Sequence, residues 1–145
     1  MIINQIIISI NSETDIIAAR QNARVLGKSA GFNISELAAI ATAISELAQN
    51  IIAFAPLGEI TLQLLTESNQ KGMRIIAIDS GPGIEDVDLA MKQGYSTKEN
   101  LGIGLPGVRR LMDNFKIKSE KGKGTIVIAE KWILYKKSRV PAYDI

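Results

Sequence analysis

Isoleucines crowd the start of the chain: Ile2, Ile6, Ile8 and Ile10, with Ile3 and Ile7 between them. β-Branched side chains pack well on a pleated surface, so this pattern predicts a first strand. Ser12 with Asp15 three residues on is a helix-start signal, and Ile16, Ala19, Ala23 and Leu26 then recur at helical spacing. A helix over about residues 13–30 follows, with Gly31 as its stop. A second helix, capped by Ser35 and running to about Phe54, carries Leu37, Ile40, Ile44, Leu47 and Ile51 on one face. Thr42, Glu46, Gln49 and Asn50 fall on the other side, and Pro56 and Gly58 break the helix.

Beyond that break the period changes from helical spacing to alternation. Ile60, Leu62 and Leu64 alternate with polar residues over 59–66, as in a half-buried strand. Residues 67–72 form a polar turn, and residues 73–79 form the partner strand of a hairpin. Residues 80–104 are rich in Gly, polar and charged residues, with a short helix predicted near Val87 to Met91. A segment this long between packed elements usually has a function. Leu105-Pro106 opens another helix to about Phe115, the proline suiting its first turn. Residues 116–119 read as a short strand, Gly122-Lys123-Gly124 as a tight turn, and residues 125–133 as the last strand.

The order β-α-α-β-β-loop-α-β-β is not a run of βαβ crossovers. It predicts an α/β (α+β) two-layer sandwich, with a mixed, mostly antiparallel sheet and helices on one face. Residues 1–133 make one domain, followed over 134–145 by a basic tail with Lys136, Lys137 and Arg139.

Composition removes several chemistries. The 145 residues are 46% hydrophobic and 22% charged, as in an ordinary globular chain. A net charge of +2 without a long basic run before the C-terminus argues against nucleic acid as the main partner. Without cysteine there is neither a disulfide nor a thiolate metal site. Without histidine there is no imidazole base, no usual zinc site and no phosphohistidine on this chain. The apolar N-terminus lacks the basic region and cleavage site of a signal peptide. The uncharged run 37–45, bounded by Glu36 and Glu46, is too short for a bilayer, so a cytoplasmic location with no membrane partner is expected.

Catalysis must then rest on carboxylates, amides, hydroxyls, Lys or Arg, and bound metal. An apolar run ends at Asp79, followed by Ser80-Gly81-Pro82-Gly83. A carboxylate at a strand end can face a pocket, and glycines let a backbone approach a ligand; the alternative is a strand followed by a loop. Glu46 and Asn50, four apart, share a helix face. A carboxylate beside a carboxamide oxygen suits a proton acceptor and Mg²⁺, or is simply a solvated pair. Gly102-Ile103-Gly104-Leu105-Pro106-Gly107 matches G-x-G-x-x-G, but no apolar strand precedes it, which excludes a dinucleotide fold. Glycines leading into a helix N-terminus still suit an anion, and the alternative is a loop with a helix-start proline. Lys98 can reach a terminal phosphate or stand as a solvated lysine. Thr125 follows a hairpin turn and is a candidate hydrogen-bonding group, whereas Arg109 and Arg110 read as surface residues.

In order, Glu46-x₃-Asn50, Asp79-x-Gly81-x-Gly83, Gly102-x-Gly104 and Gly124-Thr125 form a series along nearly the whole chain. The series resembles the motifs of the GHKL, or Bergerat-fold, ATP-binding family. The stretches 15–21 and 42–48, with the run from Gly102 to Asp113, are most similar to the stressosome-associated serine/threonine switch kinases, relatives of the anti-sigma-factor kinases. The resemblance implies that Glu46 is the general base and that Asn50 holds Mg²⁺ against the phosphates. It implies that Asp79 accepts a hydrogen bond from the adenine amino group, with Thr125 supporting through water. Gly81 and Gly83 would admit the base, and Gly102 and Gly104 would cradle the phosphates. The implied activity is ATP- and Mg²⁺-dependent phosphorylation of STAS-domain stressosome proteins, coupled to binding a downstream regulator. A nucleotide-gated, non-catalytic anti-sigma-type binder is the alternative, and a histidine-kinase catalytic domain acting on another chain a third. The chain departs from the pattern at Gln49, in place of a basic residue, and at Phe54, in place of His or another polar residue.

Overall fold

The computed structural model describes residues 1–54, 57–84, 91 and 103–134. Along them run β1 (Ile2–Ile10), α1 (Glu13–Ala30), α2 (Ile34–Phe54), β2 (Gly58–Glu67), β3 (Gln70–Asp79), α3 (Gly104–Leu111), β4 (Asn114–Glu120) and β5 (Gly124–Trp132). The strands form one sheet in the order β1-β2-β3-β5-β4. Every pairing among the described residues is antiparallel, which narrows the expected mixed sheet to an antiparallel one.

Alternation decides which side of the sheet is covered. Ile10, Ile60, Leu62, Leu64, Met73, Ile75, Ala77, Val127 and Ala129 are buried together with Ile16, Ala19, Ala23 and Leu26 of α1 and Ile40, Ile44, Leu47 and Ile51 of α2. Slipping any strand by one residue would turn its whole apolar set to the opposite face, so this core fixes the register. By length and composition α2 as a whole could cross a membrane, unlike the uncharged run within it. In this fold its apolar face is buried in the core instead, which accounts for its hydropathy.

Local chemistry sets the element ends. The Asp15 carboxylate accepts from the N–H groups of Asn11 at 2.7 Å and Ser12 at 3.1 Å, starting α1. Gly31 closes it, with Gly31 and Phe32 both donating to the Gly27 carbonyl at 3.1 Å. At α2 the capping residue is Asn33 and not Ser35. The Asn33 side chain accepts from Glu36 N–H at 2.7 Å, and the Glu36 carboxylate accepts from Asn33 N–H at 2.8 Å. Asn33 has a glutamate three residues on and Ser35 does not, so only Asn33 can close this reciprocal pair.

Two boundaries differ from expectation for identifiable reasons. The β2–β3 turn is only Ser68-Asn69, with φ of 51° and 67°, so the ladder runs on to Glu67 and Gln70. Helix α3 stops at Leu111 and not near Phe115. Val108, Leu111, Met112 and Phe115 keep helical spacing, but Phe115 is paired with Ala129 on β5. Asp113 N–H already donates to the Glu130 carbonyl at 2.8 Å, so the chain has joined the sheet by then. The helix predicted near 87–91 lies, apart from Met91, outside the described residues, as does the tail beyond Leu134.

A polar chain crosses the sheet on its uncovered face. Gln63 donates to Gln5 at 2.6 Å, Arg74 to Gln63 at 3.1 Å and to Glu130 at 2.8 Å, and Asn114 to Glu130 at 3.0 Å. Burial alone would raise the Glu130 pKa, but hydrogen bonds from Arg74, Asn114 and Trp132 and the Arg74 charge outweigh it and hold it below the ordinary value. A depressed carboxylate pKa stabilises the fold above the unfolded-state pKa, and that contribution is lost as pH falls through the folded-state value. Glu130→Gln is therefore expected to cost about 1 kcal/mol at pH 7. In urea titrations the gap to the parent should narrow as pH drops below about 4.3.

Candidate functional site

Asp79 ends β3, the central strand, with Gly58 of β2 and Thr125 of β5 as its cross-strand partners. A methyl group on Gly58 would lie 2.6 Å from Ile51 Cγ2, 2.9 Å from the Ile78 carbonyl oxygen and 3.2 Å from Asp79 Cβ. The end of α2 thus closes directly onto β2 and β3 beside Asp79. Its carboxylate is fixed by Gly81 N–H, which donates to Oδ1 at 2.9 Å. Oδ2 has no partner among the described residues, leaving a fixed acceptor at a half-buried strand end.

Gly83 and Gly124 have a structural cause. Gly83 has φ of 78°, and a Cβ there would run into the Glu120 carbonyl; Gly124 has φ of 91°, and a Cβ would run into the Asp79 carbonyl. Gly122 N–H also donates to the Pro82 carbonyl at 2.6 Å. The segment from Ser80 to Ile84 therefore rests on the β4–β5 turn, and Gly83 is required by that contact whether or not a ligand approaches.

Ser119 joins these parts, and it was absent from the sequence candidates. Its Oγ accepts from Ile84 N–H at 2.7 Å, donates to the Gly124 carbonyl at 3.0 Å and lies 2.7 Å from Thr125 Oγ1. With its one proton given to Gly124, the Thr125 hydroxyl is the donor to Ser119, so Thr125 presents lone pairs outward. A signal existed. Phe115, Ile117 and Ser119 alternate on one side of β4, and a serine continuing an apolar series implies a polar partner.

Glu46 belongs to a second cluster. Gly104 N–H, at the start of α3, donates to Glu46 Oε1 at 2.8 Å. Leu105, Pro106, Gly107 and Val108 are buried behind it, so α3 is seated on α2 with its N-terminus at the carboxylate. That N-terminus holds an anionic group, as helix starts do. Glu46 and Asn50 are half-buried and about 6 Å apart along the helix. Asn50 has no hydrogen-bond partner for its carboxamide among the described residues, so its oxygen is available to a cation. No group of three or more His, Cys, Asp or Glu side chains that could hold a metal ion occurs among the described residues. Gln49 Nε2 donates to the Glu13 carboxylate at 3.2 and 3.3 Å, tying α2 to α1. Lys98 and Gly102 lie outside the described residues; Arg109 and Arg110 are exposed, as expected. A cleft of about 690 Å³ lies at the other end of α2, between Asn33, Thr42, Arg110 and Trp132, and includes none of the candidate residues.

A family model described as a histidine kinase-like ATPase domain matches residues 11–131. The serine/threonine-protein kinase RsbT of Bacillus subtilis is 47% identical over 130 residues, covering 90% of this chain and 98% of that protein. An anti-sigma F factor of Caldanaerobacter subterraneus is 38% identical over 106 residues, covering 69% of this chain and 73% of that protein. The crystal structure of the RsbU and RsbW domains of Rv1364c from Mycobacterium tuberculosis superposes with a TM-score of 0.61 at 19% identity. It covers 88% of this chain and 32% of that longer one, a likeness of fold.

Ser119→Ala would leave Ile84 N–H and the Gly124 carbonyl without their partner. An unpaired buried polar group costs about 1–3 kcal/mol, so the variant should lose stability in that range by urea denaturation. Thr125→Val, which spares those two groups, should lose less.

Proposed function

This chain belongs to the histidine kinase-like ATPase domain family, and from that membership we propose that it binds ATP with Mg²⁺ and phosphorylates serine or threonine of a STAS-domain protein. It is a protein serine/threonine kinase, with the 47% identity to RsbT across nearly the full length of both chains behind that assignment. The observation that carries the site is the bond from Gly104 N–H to Glu46, which brings the start of α3 onto the helix face with the carboxylate and Asn50.

The roles divide by position. Asp79, fixed by Gly81, accepts from the adenine amino group, with Thr125 assisting through water. Gly104, with Gly102 and Lys98, holds the phosphates at the α3 N-terminus. Glu46 takes the proton from the substrate hydroxyl, the part a carboxylate plays in a reaction that otherwise needs positioning and charge neutralisation. Asn50 holds Mg²⁺, which supplies neutralisation of the phosphate charge when bound. The described residues around Glu46 and Asp79 include no cysteine or histidine nucleophile, consistent with direct transfer. Binding of a downstream regulator and a cytoplasmic setting belong to the same reading. The anti-sigma F relatives favour a second one, a nucleotide-gated binder that phosphorylates nothing, but a binder has no need of a base at Glu46.

Labelled ATP incubated with the chain and a STAS-domain partner is expected to give an acid-stable phosphoprotein. Glu46→Gln should retain nucleotide binding and reduce transfer by about a hundredfold or more. Asp79→Asn should weaken nucleotide binding by about tenfold or more, measured by calorimetry. Full transfer by Glu46→Gln would falsify the assigned mechanism.

A further inference from the structure

Among the described residues, a single group answers the Glu46 carboxylate. Gly104 N–H donates to Oε1 at 2.8 Å, and neither an ion pair nor a second hydrogen bond to Glu46 occurs among them. The side chain is half-buried, so this one charge-assisted bond stands in for part of its hydration.

The donor has as few choices. Gly104 opens α3, and the first N–H groups of a helix find no acceptor inside it. They pair with water, with a side chain or with a bound anion. Gly104 also differs from the glycines around Asp79. Its φ is 67°, yet the nearest atom a Cβ would meet among the described residues is Pro106 Cδ, at 3.5 Å. Glycine is required there by the backbone angle and not by close packing, so a ligand oxygen has room beside this N–H. Helix α3 does not need the bond to stay in place. Leu105 and Val108 are buried and seat it on α2, so the contact mainly sets where the Glu46 carboxylate points.

We propose that Glu46 and a nucleotide phosphate compete for the Gly104 N–H, so that the carboxylate latches the empty site until a phosphate displaces it. The inference rests on the ATP reading above and extends it to the order of events. Both rivals are anions that accept hydrogen bonds, and one N–H cannot serve both at full strength. In the empty protein Glu46 is turned to α3 with Oε1 engaged. Once Gly104 donates to a phosphate oxygen, Oε1 is released and like charge favours a Glu46 rotamer turned away from the helix start.

Two consequences follow from the latch. The proton acceptor is free only in the loaded site, so nucleotide must arrive before Glu46 can act on a substrate hydroxyl. The affinity for ATP is also reduced, by the fraction of molecules in which the Gly104 N–H is not held by Glu46. Adenosine, which has no phosphate to place at α3, escapes that reduction.

Glu46→Asp tests the latch, because it keeps the charge but withdraws the carboxylate by about 1.5 Å, out of reach of Gly104. In amide hydrogen exchange of the nucleotide-free full chain, Gly104 should be protected in the parent and exchange at least about tenfold faster in the variant. ATP should protect it in both. By calorimetry the variant should bind ATP about three- to tenfold more tightly, and adenosine no differently from the parent. Simple repulsion of phosphate by Glu46 would instead leave ATP affinity unchanged, since the charge is kept. Gly104 exchanging alike in both proteins, ATP binding alike to both, or adenosine gaining as much as ATP overturns the latch and leaves the ATP reading standing. A parent chain that binds no ATP overturns that reading and this inference together.

Discussion

The end of β3 is built from backbones that meet where side chains are missing. Gly58 lets α2 close on β2 and β3, Gly124 lets β5 pass the Asp79 carbonyl, and Gly83 lets the following segment lie against Glu120. Each contact would be blocked by a methyl group, so the position of the Asp79 carboxylate follows from three absences. Packing this close leaves little room for adjustment, because interiors are dense enough to transmit a displacement of a few tenths of an ångström. Ser119 then joins the hairpin turn to the segment after Asp79 with hydrogen bonds in place of bulk.

The second half of the site depends on one helix. One side of α2 supplies much of the core, and another carries Glu46 and Asn50, so the residues that stabilise the sandwich also set the direction of the chemical groups. Helix α3 is seated on α2 by Leu105 and Val108 and is held at its start by Glu46. Thus Glu46, Asn50 and the start of α3 share one support, as the proposed phosphoryl transfer, which relies on positioning, requires.

Much of this was legible in the chain. Apolar periodicity together with turn and helix-start signals placed the eight elements of the described residues in order, because their core is a single contiguous set. Boundaries failed where two signals competed. Asn33 and Ser35 both suit a cap, and only the reciprocal bond with Glu36 decides between them. Phe115 keeps the spacing of α3 but is claimed by β4. At the site, the Glu46, Asp79 and Gly104 motifs were readable as types, whereas the direct Glu46–Gly104 contact spans 58 residues and no local pattern encodes it. Gly83 was legible as a special position, whereas the tertiary contact with Glu120 that requires a glycine there cannot be seen from Gly-Pro-Gly alone.

The strand order has a consequence for how this protein can change. With β1-β2-β3-β5-β4, the strand that ends in Asp79 is two places from either border of the sheet. Fraying, insertion or a new surface on β1 or β4 is absorbed by a neighbouring ladder before it reaches that carboxylate. The borders are free to drift toward new partners while Asp79 stays where it is.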